Sequence, residues 1–145
     1  MLQGGLDLIK DRFDHILIDT PPSVELFTIN ALAAADYAII PCQCEYLSLS
    51  SIDQVEKMIK VIEMKNNREI ESRILLTMYD EKNTAARVLY AKTHEKYKGK
   101  LFNTVINYDV KMQESQIVNQ PVIYYDKTSS SAKQYLKLAR EIIGE

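Results

Sequence analysis

Asp19 closes the apolar run His15-Ile16-Leu17-Ile18 and is followed at once by Thr20, Pro21 and Pro22. A carboxylate that ends a buried strand, with two prolines stiffening the loop behind it, suits a hydrated Mg²⁺ held through its waters. The same position also suits a cap for a helix beginning near Val24. A second group is Cys42 and Cys44, two thiols on one side of an extended segment. Four zinc ligands are not at hand, because His15 and His94 have no spacing partner, so the pair reads as small buried thiols. A third group is basic. From Lys82 to Lys100 the residues Lys82, Arg87, Lys92, Lys96, Lys98 and Lys100 are opposed only by Glu95, a local charge of +5. Helical spacing groups Lys92 with Lys96, and Arg87 can join the same surface. Such a face either contacts nucleic-acid phosphates without reading bases or is simply solvated.

The elements that must position these residues alternate in kind. His15–Asp19, Tyr37–Pro41, Arg73–Met78, Leu101–Ile106 and, more weakly, Val122–Tyr124 are apolar on consecutive residues, the pattern of parallel strands covered on both faces. Prolines 21 and 22 end the first of them, since proline cannot donate to a ladder. Helical spacing fills the intervals. Ser51-Ile52-Asp53-Gln54 has the form of a capping box, and Ile52, Val55, Ile59 and Ile62 follow at three- and four-residue steps. Ala132, Tyr135, Leu136, Ala139, Ile142 and Ile143 form one stripe, with Gly144 at the expected stop. Further helices are predicted near residues 2–11, 24–35 and 83–98. The alternation predicts an α/β domain on a mostly parallel sheet flanked by helices, a single domain over residues 1–145. Met58, Met64, Met78 and Met112 read as core filler, and Tyr124, Tyr125 and Tyr135 as packing residues with wet hydroxyls.

Composition bounds the function. With 145 residues, 46% apolar and 26% charged, the chain can bury a core without disulfides, which excludes disorder and collagen-like repeats. A net charge of -2 means that any polyanion site is local. Two cysteines at a two-residue spacing favour a reducing, cytoplasmic compartment. No apolar run approaches the roughly 18 residues of a membrane span, and MLQGGLDLIKDRF lacks the apolar stretch of a signal peptide.

Open α/β sheets bind ligands beyond the carboxyl ends of their strands, which directs attention to residues just after the apolar runs. There the sequence resembles a known family. FDHILIDTPPSVELFTINALAAADYAIIPCQCEYLSLSSIDQV from Phe13 to Val55, ILLTMYDEKNTAARVL from Ile74 to Leu89, LFNTVINYDVKMQES from Leu101 to Ser115 and PVIYYDKTSSSAKQYLKLAREI from Pro121 to Ile142 match, in order and spacing, successive blocks of the ParA/Soj-type partition ATPases. These are deviant-Walker P-loop NTPases of the SIMIBI type. The resemblance implies that Asp19 is the Walker B acid positioning Mg²⁺ through water. It implies that Thr20, Pro21 and Pro22 sense the γ-phosphate, with Gln43 and Glu45 at switch or interface positions. Met78, Tyr79, Asp80, Ile106, Asn107 and Tyr108 would lie around the adenine or the dimer face, although Asn107-Tyr108-Asp109 stand where the family usually has a proline and then Arg-Asn. Lys82, Arg87, Lys92 and Lys96 would face non-specific DNA. Implied companions are ATP and Mg²⁺, a second copy of the chain or a complete ParA, and a ParB-type partner at the nucleoid.

The family's K-G-G-x-G-K-T loop, whose amides and lysines cradle the phosphates, and the acidic motif after it are not in the 145 residues; Gly4-Gly5 has no lysine or hydroxyl behind it and reads as a turn. The sequence therefore reads as the C-terminal half of such a protein, inactive by itself, with no tight nucleotide binding. In the family fold the P-loop strand lies between residues 15–19 and 36–41. Their bare edges are expected either to pair directly or to recruit another chain. The alternative function is a catalytically dead binding module that pairs with a complete ParA or binds DNA. A membrane-cycling relative of the MinD type is disfavoured because Ala139-Arg140-Glu141-Ile142-Ile143-Gly144-Glu145 carries more acid than base.

Overall fold

A computed structural model describes residues 2–21, 25–45 and 48–144, and its elements divide between two compact units. Pro22 and the helix start near Val24 lie outside the described residues. The fold is α/β, with a parallel sheet flanked by helices. Its two regular strands, β1 (Tyr37–Gln43) and β2 (Glu71–Thr77), are neighbours. Ile74, Leu75 and Leu76 of β2 are buried in succession, as both-face coverage requires. Burial in β1 instead alternates, with Ala38, Ile40 and Cys42 inside and Pro41 outside. Proline is tolerated there because β1 lies at the edge of the described sheet.

The first unit comprises Met1–Ala38 and Asp53–Ser72. The helix predicted near residues 2–11 is the short α1 (Leu2–Leu6), which contains Gly4 and Gly5 where a turn was expected, followed by a 3-10 turn at Lys10–Arg12. Alpha-helix α2 (Leu26–Ala34) packs on α1. Arg68 clamps the end of α2, donating to the Asp36 carboxylate at 3.1 Å and to the carbonyls of Ala33 and Ala35. Helix α3 (Ser48–Asn66) begins a turn before the expected capping box, so Ser51 is an interior residue rather than the cap. Its predicted stripe holds: Ile52, Ile59 and Ile62 are buried.

The segment His15–Asp19 does not form the predicted strand. Among the described residues it has no ladder partner, and it does not pair with β1 as direct closure of the gap would require. A strand is completed by its neighbour, and an apolar run with none among the described residues stays outside any ladder.

The second unit comprises Ile39–Ile52 and Arg73–Glu145. Leu101–Ile106 runs parallel to β2, with Ile74 bonded to Lys100 and Phe102 and Leu76 to Ile106, but it makes isolated bridges rather than a continuous strand. Helix α4 (Thr84–Lys96) starts at Asn83, whose side chain caps the amides of Ala85 and Ala86. Ala86, Leu89, Thr93 and Tyr97 form its buried stripe. Helix α5 (Val110–Ile117) was not foreseen. Helix α6 (Val122–Tyr125) replaces the weak strand expected over Val122–Tyr124, because Pro121 at its N-cap starts a helical turn that Tyr124, Tyr125 and Asp126 close with backbone bonds. Helix α7 (Ser130–Ile143) is capped by the Ser129 side chain and ends at Gly144, whose φ of 80° is the left-handed stop expected there.

The expected apolar stripe of α7 is largely outside. Ser131, Ala132 and Leu138 are buried, whereas Tyr135, Leu136, Ile142 and Ile143 stay exposed. Gln134 and Glu141, two turns apart on the helix, are the residues turned to the 103–107 segment. Glu141 accepts from the amides of Asn103 (2.6 Å) and Thr104 (2.9 Å), and Gln134 from Asn107 (2.9 Å). Backbone amides on the outer side of that segment need acceptors, and this requirement sets the rotation of α7. Met64 and Met78 are likewise exposed rather than core filler, and so is Tyr124.

Candidate functional site

Three chain segments bring their carboxyl ends together in the second unit. The end of β1 leads to Cys44 and Glu45, the end of β2 to Met78, Tyr79 and Asp80, and the parallel segment to Ile106, Asn107 and Tyr108. Cys44 donates its amide to the Thr77 carbonyl at 3.0 Å, Tyr79 to Ile106 at 3.2 Å, and Tyr108 to Tyr79 at 2.9 Å. The structure thus assembles the residues of the predicted base-side set, together with Glu45. Cys44, Glu45, Met78, Asp80, Asn83 and Tyr108 line an open recess of about 270 Å³. Gln43 lies instead in a neighbouring recess with Pro41, Cys42, Ser51 and Thr77.

Local geometry shapes the first recess. Met78 has a φ of 53°, a left-handed conformation that costs a non-glycine residue roughly 1–2 kcal/mol and turns the chain sharply out of β2. Asp80 stabilises the turn that follows, accepting from the Lys82 amide at 2.9 Å. Tyr79 stacks on Tyr90 at a centroid distance of 5.0 Å, and Tyr90 on His94 at 4.4 Å, so the β2 loop is braced by α4. Two carboxylates, an amide and a phenol line the recess. That chemistry repels phosphate and suits a group presenting N–H donors.

Asp109 was not among the predicted site residues, yet it ties the third loop down. Its carboxylate caps Lys111 at 2.9 Å and accepts from both the amide and the hydroxyl of Ser131, each at 2.9 Å. Burial opposes its ionisation, but the hydrogen bonds from Ser131 and Lys111 outweigh this and hold its carboxyl below the usual value. The available signal was an Asp directly before the helical spacing of Val110-Lys111-Met112-Gln113, an N-cap pattern. Asn83, before Thr84-Ala85-Ala86, carried the same signal.

Asp19, Thr20 and Pro21 belong to the first unit. Asp19 is exposed, and among the described residues it has no ion-pair partner. It does not cap α2, whose N-cap is Glu25 without a side-chain bond. The Pro21 carbonyl accepts from the Thr28 hydroxyl at 3.5 Å, which ties the loop end to α2. An unengaged carboxylate of this kind fits the water shell of Mg²⁺, which typically takes one or two protein carboxylates and draws its other ligands from water and substrate phosphates. Among the described residues no three His, Cys, Asp or Glu converge to hold a metal directly. Cys42 and Cys44 are buried, and burial, with Cys42 nearby, pushes the Cys44 thiol up to about 11.

The basic residues divide. Lys92 and Lys96 are exposed and one turn apart on α4, with Lys96 lying over the Tyr97 ring at 5.0 Å. Arg87 does not join them: five residues separate it from Lys92, about 140° around an α-helix. It turns back to Thr84 Oγ1 at 3.2 Å and to the Glu81 carbonyl. Lys82 lies in the turn before the helix.

The fold is that of a SIMIBI-type P-loop NTPase. The MinD cell division protein of Aquifex aeolicus superposes with a TM-score of 0.81 over 99% of this chain and 59% of its own, at 20% identity. Cobyrinic acid a,c-diamide synthase of Mycobacterium smegmatis, solved with an ATP analogue and magnesium, superposes with a TM-score of 0.67 at 28% identity over 75% of this chain and 45% of its own. The family described as AAA domain matches residues 1–72. The sporulation initiation inhibitor protein Soj of Bacillus subtilis is 34% identical over 97% of this chain and 56% of its own length. Relatives named as chromosome partitioning proteins of the ParA and Soj type, in Myxococcus xanthus and Treponema pallidum, are 34% and 37% identical over 98% and 93% of this chain and 50% and 54% of their own length. The chain spans about half the length of the curated relatives it matches. Among the described residues no helix is long and apolar enough to cross a membrane.

Proposed function

We propose that the chain supplies the Walker B, switch and base-side portion of a DNA-partition ATPase. The observation that carries this reading is the relationship to Soj over nearly the whole chain, which takes in both the Asp19 loop and the three loops that converge at the recess. In this reading Asp19 orients the waters of Mg²⁺, and Thr20, Pro21 and Pro22 respond to the terminal phosphate. Gln43 and Glu45 belong to the switch or dimer interface, and Met78, Tyr79, Asp80, Ile106, Asn107 and Tyr108 surround the base. Asp80 supports the last assignment, since an adenine amino group offers the N–H donors such an acceptor takes. Mg²⁺ held through its waters by Asp19 would neutralise charge on the transferring phosphoryl group. Lys82, Lys92 and Lys96, with Arg87 on a separate flank, contact DNA phosphates, and the assembled protein works at the nucleoid in the cytoplasm with a second copy and a ParB-type partner.

The 145 residues hold no K-G-G-x-G-K-T segment, and a tetra-anionic nucleotide needs that cradle of amides and lysines. The chain alone is therefore proposed to bind Mg-ATP weakly. The same observation favours a second reading, a module without catalysis that pairs with a complete ParA. Co-expression with a polypeptide carrying the P-loop half of a ParA protein separates the two. Recovered Mg-ATP hydrolysis, lowered at least tenfold by Asp19→Ala, supports the first. A stable heterodimer with complete ParA but no hydrolysis traceable to this chain supports the second, and unchanged turnover in Asp19→Ala removes the role assigned to Asp19.

A further inference from the structure

The residues on either side of Tyr108 are tied to one helix, and Tyr108 itself to another loop. The Asn107 amide donates to Gln134 and the Asp109 carboxylate accepts from Ser131, one turn apart on α7, whereas the Tyr108 amide donates to the Tyr79 carbonyl. Asp109 has extended backbone, with φ -145° and ψ 122°. Successive side chains of extended backbone take opposite sides, so the bonds that turn Asp109 toward α7 turn the Tyr108 ring the other way, into the wall of the recess.

The second oxygen of Asp109 reaches a different helix. It accepts from the Lys111 amide at the start of α5, and Gln113 in the first turn of α5 accepts from the Tyr108 hydroxyl at 3.5 Å. One carboxylate therefore fixes both the backbone beside the ring and the helix that holds its hydroxyl. Its three bonds are charge-assisted and stand at the amino ends of two helices, where negative charge is favoured. A carboxylate can serve donors from both directions because each of its oxygens accepts, whereas an amide side chain has a single accepting oxygen. We propose that Asp109 is the positioning residue of the recess, holding the Tyr108 ring as the surface on which a purine base stacks while Asp80 takes the base's N–H donors. This rests on the base-side reading given above.

Adenosine, which carries the base without phosphates, is the probe, titrated into the isotope-labelled 145-residue chain and followed by NMR. The amides of Asp80, Asn83 and Tyr108 are expected to shift in the parent chain. Asp109→Ala and Tyr108→Ala are each expected to weaken adenosine binding about tenfold, the loss of a stacking ring, and the double variant to bind no worse than either alone. A role confined to stability would not produce that coupling. Should Asp109→Ala fail to fold, Asp109→Asn, which offers an acceptor to only one of the two helices, is expected to weaken binding and to show the same coupling to Tyr108→Ala. Adenosine affinity unchanged in the Asp109 variants, or losses that add in the double variant, would overturn the proposal and leave the base-side reading standing. No shift of these amides in the parent chain would remove that reading and the proposal with it.

Discussion

Glu141 has a side chain only 14% exposed, and it accepts two amides of the neighbouring segment with Arg73 3.9 Å away. Burial works against its charge, but the Asn103 and Thr104 amides that donate to it, helped by Arg73, hold its carboxyl below the usual range. A depressed folded-state value means that this stabilisation is complete above the ordinary glutamate range and is lost as pH falls through the lowered value. Glu141→Ala is expected to cost about 1–3 kcal/mol at neutral pH by leaving two amides without acceptors, read as a lower urea midpoint. Glu141→Gln should flatten the acid limb of a stability–pH profile; a limb identical to that of the parent chain would show that other carboxylates set it. The inward turn of this acid was not legible in the sequence, where the apolar spacing of Tyr135, Leu136, Ala139 and Ile142 pointed to another face.

Elements were legible where their cause is local. The Ile52–Ile62 stripe of α3, the Gly144 stop of α7 and the consecutive apolar residues of β2 all follow from spacing and backbone preference within one segment. His15–Asp19 has a strand's composition but not its ladder, and Val122–Tyr124 has β-branched and aromatic residues but follows Pro121. Capping was the local signal left unused. The Asn83 side chain holds two amides at the start of α4, the helix that carries Lys92 and Lys96 and braces Tyr79. Asn83→Ala is expected to lower stability by about 1 kcal/mol, whereas Asn83→Asp retains most of it, measured by chemical denaturation. Hydrogen exchange should show faster exchange in the first turn of α4 in the alanine variant; equal rates would indicate that the cap contributes little.

For the whole molecule the charge distribution matters more than its sum. A net charge of -2 conceals a segment of +5, and only Lys92 and Lys96 of its helical members share a face. If that face meets DNA phosphates, affinity falls steeply with salt, and replacing both lysines by alanine should reduce the slope of log K against log salt by about 2, roughly 0.9 per phosphate contact. Arg87→Ala is expected to have a separate, additive effect because it lies on another flank. Retention that ignores salt, or a slope unchanged in the double variant, would reject the phosphate-contact role.

The family resemblance, the alternation of strand and helix and the basic segment can all be read from residue order, because each depends on local composition and spacing. The structure was needed to show that β1 and β2 are neighbours, that Asp109 and Glu141 fasten the third segment, and that the three loops share one recess. It was needed equally to show that residues 15–19 have no partner among those described. Ladder hydrogen bonds and burial are properties of two segments at once, and a one-dimensional pattern specifies what each segment can offer but not which other segment accepts it.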